Sequence, residues 1–185
     1  MKGNFEQCLA LTLKEEGGFT KHPADPGGMT NMGVTRATYE GWVHRKVEEE
    51  EMRALTLKDV TPIYRVNYWD RVRGDELPQG VDLAVFDLGV NSGTTTAIKF
   101  LQNALDIPAD GIFGPFTLKH VNEADPEALV KKLCEERLNF LKKLSTFPTF
   151  GKGWTARVKR VQENGLKMLA VVPQAPLKGV SADVA

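Results

Sequence analysis

A chain of 185 residues and 20.5 kDa, 42% hydrophobic and 26% charged, has the size and composition of one globular domain, which excludes a disordered or fibrous protein. Its apolar runs fall short of the roughly 18 residues that a bilayer span needs, and two cysteines with three scattered histidines supply neither a disulfide framework nor a zinc site. The formal net charge is zero, yet residues 1 to 125 carry 13 basic against 19 acidic side chains and residues 126 to 170 carry 10 against 4. That asymmetry reads either as attraction towards an anionic polymer or as a set of solvated helix faces. It lacks the aromatic-interleaved basic patch of a nucleic-acid binder.

The opening Met1-Lys2-Gly3-Asn4-Phe5-Glu6 does not have the basic and then apolar layout of a secretory signal, so the expectation is a chain kept in the cytoplasm of the cell that makes it. Phe5, Cys8, Leu9, Thr12 and Leu13 recur at helical spacing and predict a first helix over residues 4 to 16, stopped by Gly17-Gly18. Residues 17 to 34 hold five glycines and two prolines, a loop long enough to suggest function, with room for a short hairpin over 19 to 34. Thr35 reads as the cap of a second helix through Tyr39 and Trp42, and the acidic run Glu48 to Glu51 reads as a solvated face or loop edge.

Thr56 and Thr61-Pro62 both read as helix starts, with Tyr64, Tyr68 and Trp69 in the segment that follows. Residues 80 to 91 are apolar at helical spacing, Ser92-Gly93 breaks them, and Thr94 or Thr95 caps a helix through Leu105. Asp110-Gly111 and Gly114-Pro115 bracket a turn before a short helix. Two long amphipathic helices follow over 126 to 145 and 153 to 171, joined by a loop around Pro148, and the tail from Pro173 is expected to be loose. With no sustained period-two alternation, the fold class is mainly α with at most a short hairpin. Cys8 and Cys134 fall within helices and are expected as buried thiols.

The chemistry concentrates in Glu15-Glu16-Gly17-Gly18-Phe19, where a helix ends and its carbonyls make a negative pole. A carboxyl group there is in surroundings that suit a general acid; the plain alternative is a surface glutamate before a glycine stop. Asp25 follows in Asp25-Pro26-Gly27-Gly28, and Thr30 in Thr30-Asn31-Met32-Gly33-Val34-Thr35. Asp25 by itself is a turn former, but two carboxyl groups across a cleft, one protonated and one ionised, are what cleavage of a glycosidic bond requires, and a hydroxyl beside them can hold the attacking water. Trp69, Asn91, Trp154 and Arg157 are candidates for sugar contact, because glycans present flat apolar faces and many hydroxyls; each also reads as ordinary packing. His22 reads as a solvated loop residue. No phosphate loop, zinc-binding helix or serine elbow is present in the sequence.

Glu16-Gly17-Gly18-Phe19, Asp25-Pro26-Gly27-Gly28 and Thr30-x-x-Gly33-Val34-Thr35 together resemble glycoside hydrolase family 108, muramidases found as phage endolysins and as bacterial lysozyme-like proteins formerly called secretion activators. The order of Glu, Asp and Thr is also similar to the triad of other phage muramidases, with one residue fewer before Thr30. The resemblance continues through Tyr64 to Asp70, Phe86 to Gly93 and Gly153-Trp154-x-x-Arg157-Val158. Phe100 to Leu105 with Asp110-Gly111-Ile112-Phe113-Gly114-Pro115-x-Thr117 resembles a peptidoglycan-binding helical module, although the same residues read physically as a helix, a turn and a helix.

The resemblance implies a lysozyme-like fold divided into a catalytic region over 1 to 95, an integrated helical peptidoglycan-binding subdomain over 96 to 172 and a tail over 173 to 185. It implies Glu16 as the acid, with Asp25 activating water or stabilising the transition state and Thr30 positioning the water. It implies cleavage of the β-1,4 bond between N-acetylmuramic acid and N-acetylglucosamine in peptidoglycan glycan strands. Neither cofactor nor metal is implied, nor is membrane insertion. The setting implied is a monomeric endolysin, held in the host cytoplasm until a holin releases it into the periplasm of a Gram-negative cell. Three rivals stay open: a muramidase serving protein secretion, a lytic transglycosylase, and a non-catalytic peptidoglycan-binding protein.

Overall fold

The computed structural model describes residues 3–21 and 28–170, and no helix among them is long and apolar enough to cross a membrane. The expected tail over 173 to 185 lies outside the described residues. The architecture is mainly α with a small antiparallel sheet. Helix α1 (Phe5–Leu13) is followed by strands β1 (Thr20–Lys21), β2 (Met29–Asn31) and β3 (Val34–Thr35), in the order β1-β2-β3. The expected hairpin is therefore present as a three-stranded sheet, with Thr30 opposite Thr20 on one side and Thr35 on the other.

Two residues, Met32 and Gly33, connect β2 to β3 with φ of 48° and 74°. Positive φ at both central positions is the conformation that matches the twist of the paired strands, and it asks for glycine. Thr35 ends β3 and also caps α2 (Arg36–Val43), its hydroxyl accepting from Thr38 N at 3.2 Å. Strand and helix are thus joined without a spare residue.

Three segments differ from the sequence expectation, each for a local reason. The acidic run forms the first turn of a short helix α3 (Glu49–Arg53), where carboxylates favour the positive end of the helix. Helix α4 (Leu57–Tyr64) begins at Thr56, whose backbone N–H and hydroxyl bond the Asp59 carboxylate at 2.8 and 2.6 Å, so Pro62 lies inside the helix and does not open one. After Tyr64 the chain widens into a π-helical turn (Arg65–Trp69), with Asp70 N bonding back to Arg65 O at 2.9 Å, and a 3-10 turn (Gly74–Glu76) follows.

Helix α5 (Val81–Ser92) is the centre of the molecule, buried continuously from Val81 to Gly89. Gly93, at φ 88°, turns the chain into α6 (Thr94–Ala104) and takes the cap position expected of a threonine. Next come α7 (Pro115–Glu123) and α8 (Pro126–Lys142), both opening on proline, with Asp125 capping α8 through Ala128 N. The last helix, α9 (Phe147–Ala170), starts six residues earlier than expected and takes in Pro148, because a proline in the first turn gives up an N–H that has no partner there anyway. Gly80, at the start of α5, and Gly165 of α9 meet so closely that a Cβ on Gly80 would fall 2.3 Å from the Gly165 carbonyl oxygen, which seats α9 directly on the central helix.

Phe5, Trp69 and Phe86 pack with ring centroids 5.4 and 5.5 Å apart about Trp69. Beside this cluster α5 buries Asp82, whose carboxylate accepts from Asn4 Nδ2 at 2.9 Å and Leu83 N at 2.7 Å. Burial pushes the Asp82 pKa above the ordinary carboxylate range, and those hydrogen bonds offset only part of the rise. Cys8, also fully buried, is pushed up by desolvation and then by Asp82; Cys134 is likewise free and buried.

A carboxyl group whose pKa is higher folded than unfolded binds more protons in the folded state, so its contribution is present at low pH and is lost as pH rises through the folded value. Urea unfolding of wild type and Asp82→Asn across pH 4 to 8 is the check. The stability of wild type relative to the variant should fall with rising pH, and a difference that is flat or rising would contradict the assignment.

Candidate active site

Glu16 emerges at the tip of α1. Glu15 N and Glu16 N bond back to Thr12 O at 2.9 Å and Leu13 O at 3.2 Å, closing the last turn and directing Glu16 away from the helix end. Its side chain is 20% exposed, which leaves the carboxylate sheltered but reachable. Oε1 accepts from Arg157 Nη2 at 2.9 Å across a separation of 141 residues.

The same Arg157 nitrogen donates to Asp87 Oδ1 at 2.8 Å, and Asp87 Oδ2 accepts from Arg137 Nη1 at 2.7 Å. Asp87 is fully buried and Arg137 is 3% exposed, so the first link in this chain is an ion pair removed from water. Burial opposes the charge on Arg157, and the Asp87 and Glu16 carboxylates outweigh that effect to hold it protonated. Asn91, one turn beyond Asp87, is exposed, and its Oδ1 accepts from Arg137 Nη2 at 3.2 Å. Glu15 is held separately by Arg160 at 2.7 and 2.6 Å, and those hydrogen bonds keep its carboxyl below the ordinary range.

The other wall is the β2–β3 turn. Tyr64 Oη donates to Met32 O at 2.9 Å, and a Cβ added to Gly33 would lie 2.3 Å from Tyr64 Oη and 3.1 Å from Glu16 Cγ. The turn, the phenol and the carboxylate side chain are therefore in contact. Burial, and then the nearby Glu16 charge, raise the pKa of both Tyr64 and Tyr68, so both are neutral hydrogen-bonding groups.

Of the residues singled out in the sequence, Glu16 and Arg157 meet directly. Arg157 arrives as the partner of two carboxylates, with 12% of its side chain exposed, and not as a free donor to sugar. Thr30 lies on β2 in the hairpin whose turn touches Glu16, on the face opposite the buried Met29 and Asn31. Asp25 and His22 lie outside the described residues. Trp69 requires correction: it is fully buried, its Nε1 donates to Asp75 at 3.1 Å, and no face of the ring is open to a glycan. Trp154 is half-buried on α9.

Asp87, Arg137 and Tyr64 were not foreseen as members of the site. Asp87 carried a readable signal, since an acid inside the largely apolar run 81 to 90 must be hydrogen-bonded or paired if it is buried, as Asp82 of the same run also is. The position of Arg137 had no such mark. Among the described residues no group of three or more His, Cys, Asp or Glu is placed to hold a metal ion.

Two substitutions test this geometry. Gly33→Ala should lower stability by about 1 to 3 kcal/mol, from a strained positive φ and a contact with Tyr64 that something must yield to, and should lower activity with it; thermal melting and turbidity clearing of permeabilised cells report both. Arg157→Lys should lose at least tenfold in activity while keeping its charge, because a single ammonium cannot reproduce the planar fork that bridges Asp87 and Glu16. Wild-type lysis by this variant would show that the bridge is dispensable.

Residues 9–93 match the family model described as Glycosyl hydrolase 108, and residues 96–159 match one described as Predicted Peptidoglycan domain. Comparison with curated proteins gives no match. Among solved structures, SagA of Brucella abortus is 46% identical with a TM-score of 0.80, the alignment covering 91% of this chain and 97% of that one. Arg157 lies within the peptidoglycan match and Glu16 within the hydrolase match, so the carboxylate and its partner come from the two matched regions. On this evidence the chain belongs to glycosyl hydrolase family 108 and is a glycosidase that hydrolyses peptidoglycan.

Proposed function

We propose that the protein is an N-acetylmuramidase that cuts the β-1,4 bond between N-acetylmuramic acid and N-acetylglucosamine, and that Glu16 is its general acid. The observation that carries this reading is the Glu16–Arg157 pair: a partly exposed carboxyl group at a helix end, backed at 2.9 Å by a guanidinium that is itself anchored to a buried acid. Protonated Glu16 donates to the glycosidic oxygen as the bond to the anomeric carbon breaks. The carboxylate left behind then pairs with Arg157. Asp25, which lies between β1 and β2 in the sequence, is assigned to activate the attacking water or to stabilise the positive charge developing on the sugar. Thr30, on the neighbouring hairpin, is assigned to hold that water, and Asn91 to contact the glycan.

In its biological setting we assign the enzyme to a phage or prophage as an endolysin, acting as a monomer on the glycan strands of a Gram-negative wall after a holin releases it from the cytoplasm. Expression from a prophage with and without the neighbouring holin tests that setting, with host lysis expected only when both are present.

Glu16→Gln should reduce lysis by about 10²- to 10⁴-fold with the fold intact, because an amide is nearly isosteric but donates no acid proton. Glu15→Gln, which breaks an ion pair with an exposed partner, should cost little. Turbidity clearing with circular dichroism decides both. Digestion of purified sacculi should release N-acetylmuramic acid reducing ends, convertible by borohydride to muramitol. Anhydro-muramic ends would replace this reading with a lytic transglycosylase, and N-acetylglucosamine reducing ends with a glucosaminidase.

A further inference from the structure

Helix α9 carries an apolar stripe whose lower half, Val158, Val161, Gly165 and Met168, is buried against the body. Followed back towards its start, the same face presents Phe147, Phe150 and Trp154, and here the cover thins: Phe150 is 53% exposed and Trp154 half-buried. The Phe150 and Trp154 ring centroids are 5.7 Å apart with planes inclined by 31°, so the two rings adjoin as one aromatic patch, and Phe147 lies 6.3 Å from Trp154.

Phe150, Trp154 and Arg157 follow one another at i, i+4 and i+7, so they share a face of the helix. Arg157 is the residue that touches Glu16. At about 1.5 Å per residue, Phe150 stands roughly 10 Å along the helix from Arg157, about the length of two pyranose rings. All three residues fall within the segment matched to a peptidoglycan domain. Lys142, Lys143 and Lys152, all exposed, lie at the same end of the molecule, where they suit the acidic stem peptides of the wall polymer.

We propose that Phe150 and Trp154 form a stacking subsite for the peptidoglycan glycan strand, holding a sugar ring one to two units from the bond aligned with Glu16. The apolar face of the pyranose lies on the two rings, and the strand runs along α9 towards Arg157. This rests on the Proposed function for the location of the cut, but binding at the ledge is measurable without any cut.

The decisive variant is Phe150→Ser, a change at an exposed position that should leave the melting temperature unmoved, with Phe150→Tyr as the conservative partner and Ile112→Ser, at an exposed position on another segment, as control. Binding is read by calorimetry on the full chain carrying Glu16→Gln, with glycan strands stripped of their stem peptides as probe. Lysis kinetics are read in the active background. The expectation is at least tenfold weaker binding and a raised KM with kcat nearly kept for Phe150→Ser, near-complete rescue by Phe150→Tyr, and no change for Ile112→Ser. Unaltered binding and KM in Phe150→Ser would overturn the subsite while leaving the muramidase reading intact. A loss seen only with intact sacculi and not with stripped strands would also overturn it, by assigning the ledge to stem peptides. Full lysis by Glu16→Gln would instead defeat the catalytic assignment and leave the ledge to be judged on binding alone.

Discussion

Asp87 is a fully buried acid on the central helix, paired with two arginines, and much of the architecture is the answer to it. A carboxylate taken out of water without partners costs far more than a domain can spare, so the helix that carries it must be met by cations. Arg137 from α8 and Arg157 from α9 supply them, at 2.7 and 2.8 Å. Removing one member of such a buried pair typically costs about 3 to 5 kcal/mol, because it strands the other. Close contact of α9 with α5 is what allows the arrangement, and the Gly80–Gly165 approach provides it. Arg157, fixed by Asp87, then has one side of its guanidinium left for Glu16. Glu16 is positioned from within the core as well as by the helix end that carries it and the β2–β3 turn beside it.

The uneven charge along the chain takes a different meaning from this. The excess of basic residues after position 126 reads in sequence as either a polymer-facing surface or solvated helices. In the fold, Arg137, Arg157, Arg160 and Lys132 reach acids of the first two thirds of the chain: Asp87, Glu16 together with Asp87, Glu15 and Asp106. A good part of the asymmetry is internal complementarity between early acids and late bases. Exposed lysines between the end of α8 and the start of α9, Lys142, Lys143 and Lys152, add a field directed outwards.

How far the sequence could be read depended on whether the determinant was local. The stop after helix one, the Thr35 cap, the hairpin in the glycine-rich loop and the proline starts of α7 and α8 follow from residues within a few positions of each other, and they were legible. So was the turn after Asp110, which the buried Gln102 fastens through Gly111 N at 2.8 Å and Asp110 at 2.7 Å. Pro62 and Pro148 were misread because proline speaks to the first turn of a helix without saying which nearby residue opens it. Trp69 was misread because an aromatic ring suits a sugar face and a core equally well, and only packing against Phe5 and Phe86 decides between them. Glu16 was legible through its motif, whereas its partnership with Arg157 depends on a pairing 141 residues apart that no periodicity records.

Both matched regions are therefore joined through buried and partly buried ion pairs. The region matched to the hydrolase family holds Glu16, the hairpin and Asp87, while the region matched to the peptidoglycan domain holds Arg137, Arg157 and the aromatic ledge. Cut between them, the first would keep a buried carboxylate with neither arginine, and the second would keep two arginines facing an absent acid. Neither region by itself satisfies these charges. The helix whose aromatic ledge we propose as a glycan subsite is the same helix that brings Arg157 to Glu16.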